Sequence, residues 1–442
     1  MTAIRRNPGG WRQSFRLRTV STRRRASKRL DEVGGKDVGI FGLNYPPEHT
    51  GIAPYAGTLA TGLAAAGYNV TAHVAHPHYP EWRRYEGYGA WLDARHVDGV
   101  LVKRRLHYVP QPPRGIRRLL SELSFGVRIA AANWKRPDLV IAISPPLFAT
   151  ALAVLRLRLM LRRPRLVVWV QDIYSLGIAE TQEGGAVVER ITRWIERWSL
   201  RAADRIVVIH PRFREFLVDK LGVPPSKIVV VRNWTHLPPS QSVDRTAARA
   251  RLRWPADATL AVHTGNMGVK QGLENVVDAA RVADEREVPV HFILVGDGGE
   301  RRNLEEYGRG IERLSFVDPL SEEDYRLALG ASDVLIINEK SGVSGMALPS
   351  KLTTYFDAGR PVVAATDPGG ITASEVMEAG AGLVVPAGEP EALLDALLSL
   401  RSDPDLAARF AEQGRRHREA VLGEQTAMKQ WCSLVSATIR NS

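Results

Sequence analysis

Short apolar runs alternate with segments of helical spacing along most of the chain, and this alternation restricts the fold more than any other feature. An apolar run over residues 36–43 is followed by a loop rich in Gly and Pro over 44–54, a helix-like segment over 55–66 and a second apolar run over 69–74. A strand, a glycine-containing loop, a helix and a strand in this order form a βαβ unit. The pattern therefore predicts an α/β fold whose parallel sheets are covered by helices on both faces.

The alternation occurs in two series, which a stretch of Pro, Ser and polar residues near 233–245 separates. A chain of 442 residues is longer than a single hydrophobic core ordinarily stabilises. We therefore expect two doubly wound domains. The expected organisation is a basic disordered tail over 1–35, an N-terminal acceptor domain over 36–233, a C-terminal donor domain over 234–415, and a C-terminal helix over 416–442. Packing of that last helix back on the first domain is an open alternative.

The formal net charge of +12 resides mainly in one segment. The first 30 residues contain ten basic and no acidic side chains, so the remainder is nearly balanced. Such an arm suits a solvated tail or an anionic lipid surface. We expect no nucleic-acid partner, because no recognised nucleic-acid motif accompanies the arginines.

Cysteine usage and hydropathy indicate a cytoplasmic protein, and peripheral attachment at the inner face of the cell membrane is an open alternative. Cys432 is the only cysteine, which excludes an intrachain disulfide and a thiolate metal cluster. The amino end lacks the apolar region of a secretory signal. The longest uncharged run, 139–155, is interrupted by Pro145 and Pro146, so we expect no transmembrane segment.

A helix start near residue 350 is the first candidate ligand site. The glycine-bearing loop 341–345 precedes Ser350 and Lys351, and Gly359 suits a left-handed helix end. The amino end of a helix after such a loop presents free N–H groups to an anion, and Lys351 would add a full charge. An ordinary loop–helix junction with a solvated Lys351 explains the fragment equally well.

Two further glycine loops follow strands of the second series. In the first, residues 263–272, glycines permit close backbone approach, and Lys270 stands where it would clamp a diphosphate. The second is Gly296-Asp297-Gly298, for which a plain turn is the alternative explanation.

These segments resemble the retaining glycosyltransferases of family 4, most of all the branch of bacterial surface-polysaccharide assembly that includes colanic-acid-type and N-acetylfucosamine transferases. The similarity covers residues 38–420 in the right order. The segments that carry it are 45–55, Trp169-Val170-Gln171-Asp172, Asn233-Trp234, 265–268, 296–298 and Pro349-Ser350-Lys351-Leu352. The resemblance implies a GT-B fold, in which two Rossmann-like domains face each other across an interdomain cleft.

Residue roles follow from the resemblance. Donor binding falls to Gly265, Asn266, Gly268, Lys270, Gly296, Asp297, Val317, Ser350, Lys351 and Thr354, with the backbone near Val317 and Gly296 at the base. The loop Glu48, His49, Thr50 and Gly51 would lie beside the transferred sugar and the acceptor. Asp172 is the candidate for orienting the acceptor or acting as a base, with a capping aspartate as the alternative. Glu339 is the candidate that faces the sugar.

The sequence departs from the family at two points. The usual pair of glutamates separated by seven residues is absent, because Met346 and Thr354 stand at those positions. Gln171 stands where a histidine often follows the fourth strand. We expect no metal: His73, His76 and His78 suit a loop after a strand, since four zinc ligands cannot be identified.

The resulting expectation is transfer of a sugar, with an N-acetylated hexose favoured, from a nucleotide-diphosphate donor to a polyprenyl-diphosphate-linked or other glycan acceptor, with retention. UDP is the favoured nucleotide, and no cofactor is expected, because amides and lysines can stabilise the leaving diphosphate without a metal. Two alternatives stay open: a non-hydrolysing UDP-sugar epimerase, and a catalytically inactive nucleotide-sugar-binding protein.

Overall fold

The structure is a computed structural model. It describes residues 35–113, 115–175, 185–235, 243–342 and 351–440. The predicted basic tail (apart from Gly35), Met346 and Ser350 lie outside the described residues.

An eight-stranded sheet forms the first domain, in the spatial order β3-β4-β2-β1-β5-β6-β7-β8. Its strands are β1 (Asp37–Gly42), β2 (Asn69–Ala75), β3 (Leu92–Val97), β4 (Val100–Arg105), β5 (Leu139–Ser144), β6 (Arg165–Val170), β7 (Arg205–Val208) and β8 (Ile228–Val230). The central strands β1, β5 and β6 are almost completely buried, as their continuous apolar runs require.

One edge of this sheet departs from the predicted parallel arrangement. Strand β3 pairs antiparallel with β4, while the other neighbours in the sheet are parallel. The turn between them consists of Asp98 and Gly99, whose φ angles are 49° and 79°. Two central residues with positive φ form the tight hairpin turn whose twist matches that of antiparallel strands, which explains the reversal.

Helices cover both faces of the first sheet. They are α1 (Ala53–Ala65), α2 (Gly115–Ala130), α3 (Leu147–Leu159), α4 (Gly185–Ala202) and α5 (Pro211–Asp219). Helices α2 to α5 share one apolar core on one face, and α1 lies on the other.

The second domain contains a six-stranded sheet in the order β11-β10-β9-β12-β13-β14, in which all neighbouring strands are parallel. Its strands are β9 (Thr259–Thr264), β10 (Val290–Val295), β11 (Leu314–Val317), β12 (Val334–Asn338), β13 (Val362–Ala365) and β14 (Gly382–Val385). Its helices are α6 (Arg245–Leu252), α7 (Glu274–Glu285), α8 (Arg301–Tyr307), α9 (Glu322–Ala331), α10 (Lys351–Ala358), α11 (Ile371–Ala379), α12 (Pro390–Ser402) and α13 (Pro404–Ala420).

The chain ends on the first domain. Helix α14 (Glu424–Arg440) packs against α1, where Met428 contacts the helix at Gly62, and the Trp431 ring lies 5.0 Å from that of Trp169 in β6. The predicted boundary at residue 416 falls inside α13, whose last turn still belongs to the second domain because Arg418 pairs with Asp357 at 2.9 Å. The return therefore occurs later, at residues 421–423.

Buried charges join the two domains. Glu375 of α11 is fully buried, and Arg232, which follows β8, donates to its carboxylate. His210 from the start of α5 and His417 of α13 approach the same carboxylate at 3.3 and 3.1 Å. One carboxylate thus contacts groups from both domains.

In the part of the chain that the structure describes, no helix combines the length and the apolar composition needed to span a bilayer.

Candidate active site

The carboxyl ends of the two sheets face each other, and this cleft holds most of the candidate residues. In each sheet the strand order reverses beside the first strand of its domain, β1 or β9. Ligands of open α/β sheets bind at such switch points. The charge of Lys270 in the second domain acts on Asp172 in the first, which places the two edges opposite one another.

Lys351 is the central charged group of the second domain. Its Nζ atom lies 3.3 Å from Nε2 of His263 and would be 3.5 Å from a Cβ placed on Gly265. Burial lowers the pKa of Lys351 to about 8, and the charge of Glu339 opposes that shift. The ammonium group therefore lies directly above the glycine loop that follows β9, where it lacks the water that would normally solvate it.

His263 is a site residue that the sequence did not single out. The side chain is completely buried, and burial followed by the charge of Lys351 holds its pKa well below the ordinary value. The neutral ring donates from Nδ1 to the carbonyl of Ile336 at 3.3 Å, which leaves Nε2 to accept from Lys351. His263 thus positions the lysine. No motif marks it, because its strand reads as an ordinary apolar run.

The glycine loops after β9 and β10 are pressed against each other. Gly265 donates to the carbonyl of Val295 at 2.8 Å, and Met267 donates to that of Asp297 at 2.9 Å. A Cβ on Gly296 would be 2.0 Å from the Gly265 carbonyl oxygen, and one on Gly298 would be 2.4 Å from that of Met267. These glycines are required by the contact between the two loops. The Asp297 carboxylate accepts from the N–H of Gly298 at 2.7 Å and so belongs to the same turn.

Side chains from neighbouring segments fix the loop that bears Lys270. Gln271 Oε1 accepts from the N–H of Gly268 at 3.1 Å and from Nδ2 of Asn266 at 3.3 Å. Asn338, at the end of β12, donates to the carbonyls of Gln271 and Gly272, both at 2.8 Å. Gln271 and Asn338 were not predicted as site residues.

The remaining candidates for donor binding differ in how far protein groups already occupy their polar atoms. Glu339 accepts from the hydroxyls of Thr366 at 2.5 Å and Thr372 at 2.8 Å, so its carboxylate is fixed beside Lys351. The Val317 carbonyl accepts from the Gly296 N–H at 2.9 Å and from Arg301 at 3.0 Å. A base contact at Val317 would therefore have to use another group. Thr354 is partly buried on α10.

Asp172 follows β6 on the first-domain side. Burial raises the pKa of its carboxyl, while the N–H of Ile173, at 2.8 Å, and the charges of Arg118 and Lys270 oppose the shift. The neighbouring Gln171 exchanges two hydrogen bonds with Asn233, of 3.2 and 2.8 Å. Two segments that lie far apart in the sequence are thereby brought together.

The Glu48 carboxylate is already occupied by hydrogen-bond donors of the protein. The side chain is buried and accepts from the N–H groups of His78 and Tyr79 at 2.7 and 2.9 Å and from Asn44 at 2.9 Å. It therefore holds two loops together, and the acceptor role of Glu48 stays a prediction.

The rest of that loop is more open. His49 and Gly51 are exposed, and Gly51 has a φ of 62°. The Thr50 hydroxyl is buried and has no hydrogen-bond partner among the described residues.

A cavity of about 170 Å³ lies beside this loop at the carboxyl edge of the first sheet. Its lining includes Asn44, Gly51, Tyr79, Arg118 and Glu122. Burial raises the pKa of Glu122, and the charge of Arg118 and hydrogen bonds from neighbouring groups oppose the shift. Arg118 and Glu122 lie one helical turn apart on α2, and neither was predicted as a site residue.

The histidines near this cavity bond to backbone carbonyls. His76 lies 2.7 Å from the carbonyl of Ala90, and His78 lies 2.9 Å from that of His76. Among the described residues, no three His, Cys, Asp or Glu side chains converge on a position for a metal ion.

Similarity to known proteins agrees with this arrangement. The Glycosyl transferase 4-like domain family matches residues 50–234, and the Glycosyl transferases group 1 family matches residues 258–403. The putative colanic acid biosynthesis glycosyl transferase WcaI of Escherichia coli (strain K12) is 32% identical over 414 residues, which cover 89% of this chain and 98% of that protein. The chain belongs to the family 4 glycosyltransferases.

Solved structures agree on the fold. Sucrose-phosphate synthase from Thermosynechococcus elongatus matches this glycosyltransferase with a TM-score of 0.68 at 20% identity, over 92% of this chain and 100% of that one. Anabaena HepE, crystallised in complex with UDP, matches with a TM-score of 0.63 at 16% identity, over 91% and 100% of the two chains. The GT-B fold inferred from the sequence is confirmed.

Opposite charges across the cleft give the glycosyltransferase its chemical capacity. The second domain supplies Lys270 and Lys351, and the first supplies the carboxyl groups of Asp172 and Glu122. Cations stabilise an anionic leaving group, and a carboxylate whose pKa is raised accepts a proton more readily.

Proposed function

We propose that this glycosyltransferase moves a sugar from a nucleoside diphosphate to a lipid-linked glycan acceptor in cell-surface polysaccharide synthesis, with retention at the anomeric carbon. The position of Lys351 carries the proposal. A partly buried ammonium group 3.3 Å from a neutral histidine and above a glycine loop has no anionic partner at contact distance among the described residues, and a diphosphate would supply one.

UDP is the proposed nucleotide, and an N-acetylated hexose is the proposed sugar. HepE has been crystallised in complex with UDP and with UDP-glucose, which supports a uridine nucleotide for this chain. The name of the WcaI relative supports a surface polysaccharide as the product. The sugar is proposed from the family resemblance alone.

The proposed chemistry needs no metal or cofactor. Cleavage of the glycosyl–phosphate bond leaves negative charge on the departing diphosphate, which Lys270 and Lys351 would neutralise. Asp172 would accept the proton of the attacking acceptor hydroxyl. Its burial supports this role, because the raised pKa brings the carboxylate closer to the basicity that proton transfer requires.

The cavity between the loop 48–51 and α2 is the proposed acceptor entrance. Arg118 stands at that cavity, and its charge suits a polyprenyl-diphosphate group. We also propose that the protein works at the inner face of the cell membrane, aided by its basic tail. Flotation of the intact and tail-deleted protein with anionic vesicles tests this, and failure of both to float would contradict it.

Donor binding is tested by thermal shift with UDP, GDP, ADP, CDP and dTDP on the wild type, Lys351→Ala and Lys429→Ala. Lys429 is exposed on α14 and serves as the matched control. A ligand at 100 times its Kd stabilises a protein by about 2.7 kcal/mol, which the assay detects readily. We expect UDP to stabilise the wild type and the control, and Lys351→Ala much less. No stabilisation by any diphosphate would contradict the donor site.

Turnover is tested with Asp172→Asn. The amide keeps the shape of the side chain but cannot accept the proton, so we expect kcat to fall by about 100-fold or more while UDP binding is retained. Unchanged kcat would exclude Asp172 as the base.

A further inference from the structure

A groove of about 760 Å³ lies on the second domain, away from the interdomain cleft. Helices α6 and α9, which pack against each other, form two of its walls, and residues at the carboxyl end of α10 and on α13 complete the lining. The lining residues Gly330 and Arg360 precede β12 and β13, so the groove borders the amino ends of these strands. The candidate donor site lies at the carboxyl ends of the same sheet, and the length of the strands separates it from the groove.

The acidic side chains in the lining already have partners. Glu322 accepts from Arg326 at 2.7 Å, and Glu323 accepts from Arg251 at 2.7 Å. The Asp244 carboxylate caps α6, where it accepts from two N–H groups at 3.0 and 3.2 Å. These pairs also occupy two of the four arginines that line the groove.

The other two arginines, Arg360 and Arg415, have no carboxylate partner among the described residues. Arg360 is partly buried and donates to one backbone carbonyl of α9, while its Nε atom is buried without a hydrogen-bond partner in the described part of the chain. The guanidinium of Arg415 lies over Gly359, the residue next to Arg360. Residues 236–242, which lie outside the described residues, contain no acidic side chain.

The charges that act on Arg360 are all positive. Burial, followed by the charges of Arg245, Arg415 and Arg249, lowers the pKa of Arg360 to about 10, so the guanidinium is still charged at neutral pH. Two of these neighbours share a partner outside the lining, because Asp333 pairs with both Arg245 and Arg249. The positive charge of Arg360 and Arg415 is therefore left for a ligand to neutralise.

The rest of the lining is apolar. It includes Val243, Ala247, Ala248, Leu327 and Ala358. Sites for small molecules typically have volumes of about 300–1,000 Å³ and combine an apolar lining with a few polar groups that fix the orientation of the ligand. The groove has this composition, with its unpaired cations at one end.

We infer that this groove, termed the distal groove, binds a phosphorylated small molecule. The phosphate pairs with Arg360 and Arg415, because the planar guanidinium group offers parallel N–H donors that match phosphate oxygens. The body of the molecule lies against Leu327 and the alanines of α6. The inference concerns a site apart from the cleft and does not rest on the proposed function.

The test is calorimetric titration of the full chain with phenyl phosphate and with inorganic phosphate. All proteins carry Lys351→Ala, which removes the ammonium group of the candidate donor site. The charge variant adds Arg415→Gln, at an exposed position of α13, and the apolar variant adds Leu327→Asn. The matched control adds Arg416→Gln, because Arg416 is exposed on the same helix, pairs with Glu412 and does not line the groove.

We expect Arg415→Gln to weaken the binding of phenyl phosphate by about tenfold or more and Arg416→Gln to change it by less than about twofold. Phenyl phosphate should bind more tightly than inorganic phosphate, and Leu327→Asn should reduce that difference. Equal Kd values for the charge variant and the control would overturn the inference, because the phosphate would then bind elsewhere. Absence of binding, or equal binding of the two phosphates in the presence of Leu327, would also overturn it.

Discussion

At the scale of single residues, burial decides what the charged groups of the site can do. Lys351 has a pKa of about 8 because burial removes solvating water. Glu48 also lies in a segment that carries the family resemblance, but its carboxylate already accepts hydrogen bonds from backbone and side-chain donors. Membership of a motif therefore does not show whether protein groups already occupy a charged side chain.

Donor affinity should depend on pH through Lys351. The pKa is lowered from 10.5, so the free protein holds the cation below about pH 8 and loses it above. A bound diphosphate favours the protonated form, and binding at pH 9 must therefore take up a proton. We expect UDP affinity to fall by about tenfold between pH 7 and pH 9, measured by calorimetry.

Lys351→Arg is the control for that dependence. The guanidinium stays charged across this range, so the decrease attributable to residue 351 should disappear. An equal pH dependence in both proteins would assign the effect to another group.

Removal of the Glu48 carboxylate should act on stability. Glu48→Ala leaves the N–H groups of His78 and Tyr79 buried without their acceptor, and each such group costs about 1–3 kcal/mol. We expect the free energy of unfolding to fall by about 2 kcal/mol or more in urea titrations. His49→Ala, at an exposed neighbour, should leave stability unchanged. Normal stability of Glu48→Ala with lost acceptor binding would assign Glu48 to the acceptor and contradict the structural role.

At the scale of elements, contacts between loops organise the candidate donor site. The loops after β9 and β10 touch through glycine backbones, and the end of β12 holds the loop that bears Lys270. Sequence reasoning located these loops, because strand, glycine loop and helix are local patterns. It could not show that Gly296 and Gly298 contact backbone, since that depends on how neighbouring strands align.

Gly298→Ala should therefore damage the site without touching a ligand. The new methyl group would overlap the Met267 carbonyl, at 2.4 Å, and force the two loops apart. We expect a loss of about 2–4 kcal/mol in unfolding free energy together with weaker UDP binding. Gly299→Ala is the matched control, because a Cβ there has nothing within 4 Å. Equal stability of the two variants would show that the loops are not in this contact.

The antiparallel edge of the first sheet was not predicted from the sequence. Asp98-Gly99 between two β-like segments is a strong hairpin signal, yet the predicted strands omitted β3 and β4. Their polar alternation, including Lys103 and Arg104, differs from the apolar runs of the central strands. Arg118, Glu122 and His263 were missed for another reason: α2 supplies the first two and β9 the third, and no local pattern records that two such distant elements converge.

At the scale of the whole molecule, one buried carboxylate contacts both domains. Burial alone would raise the pKa of Glu375, but the approach of His210 and His417 and the charge of Arg232 outweigh it and hold the pKa far below the ordinary 4.5. A carboxylate with a lowered pKa contributes stability that is present above about pH 4.5 and is lost as the pH falls toward the folded-state value.

Glu375→Gln should loosen the interdomain contact. The substitution leaves Arg232 without its main partner in a buried site, which costs about 3–5 kcal/mol. We expect a lower Tm at pH 7 and a weaker loss of stability on acidification than in the wild type, both followed by calorimetry. Glu378→Gln is the matched control, because Glu378 is about half exposed and lies 3.8 Å from the same arginine. Similar Tm values for the two variants would contradict the role of Glu375.

The return of the chain to its first domain constrains how the cleft can open. The polypeptide passes between the domains near residue 235 and again at residues 421–423, and the Thr235 N–H donates to the Leu422 carbonyl at 3.1 Å where the passages meet. Two chain crossings that are hydrogen-bonded to each other resist twisting of the domains more than a single linker would. Relative motion of the domains should therefore be a bend about that point, which varies the width of the cleft while keeping Lys270 and Asp172 in register.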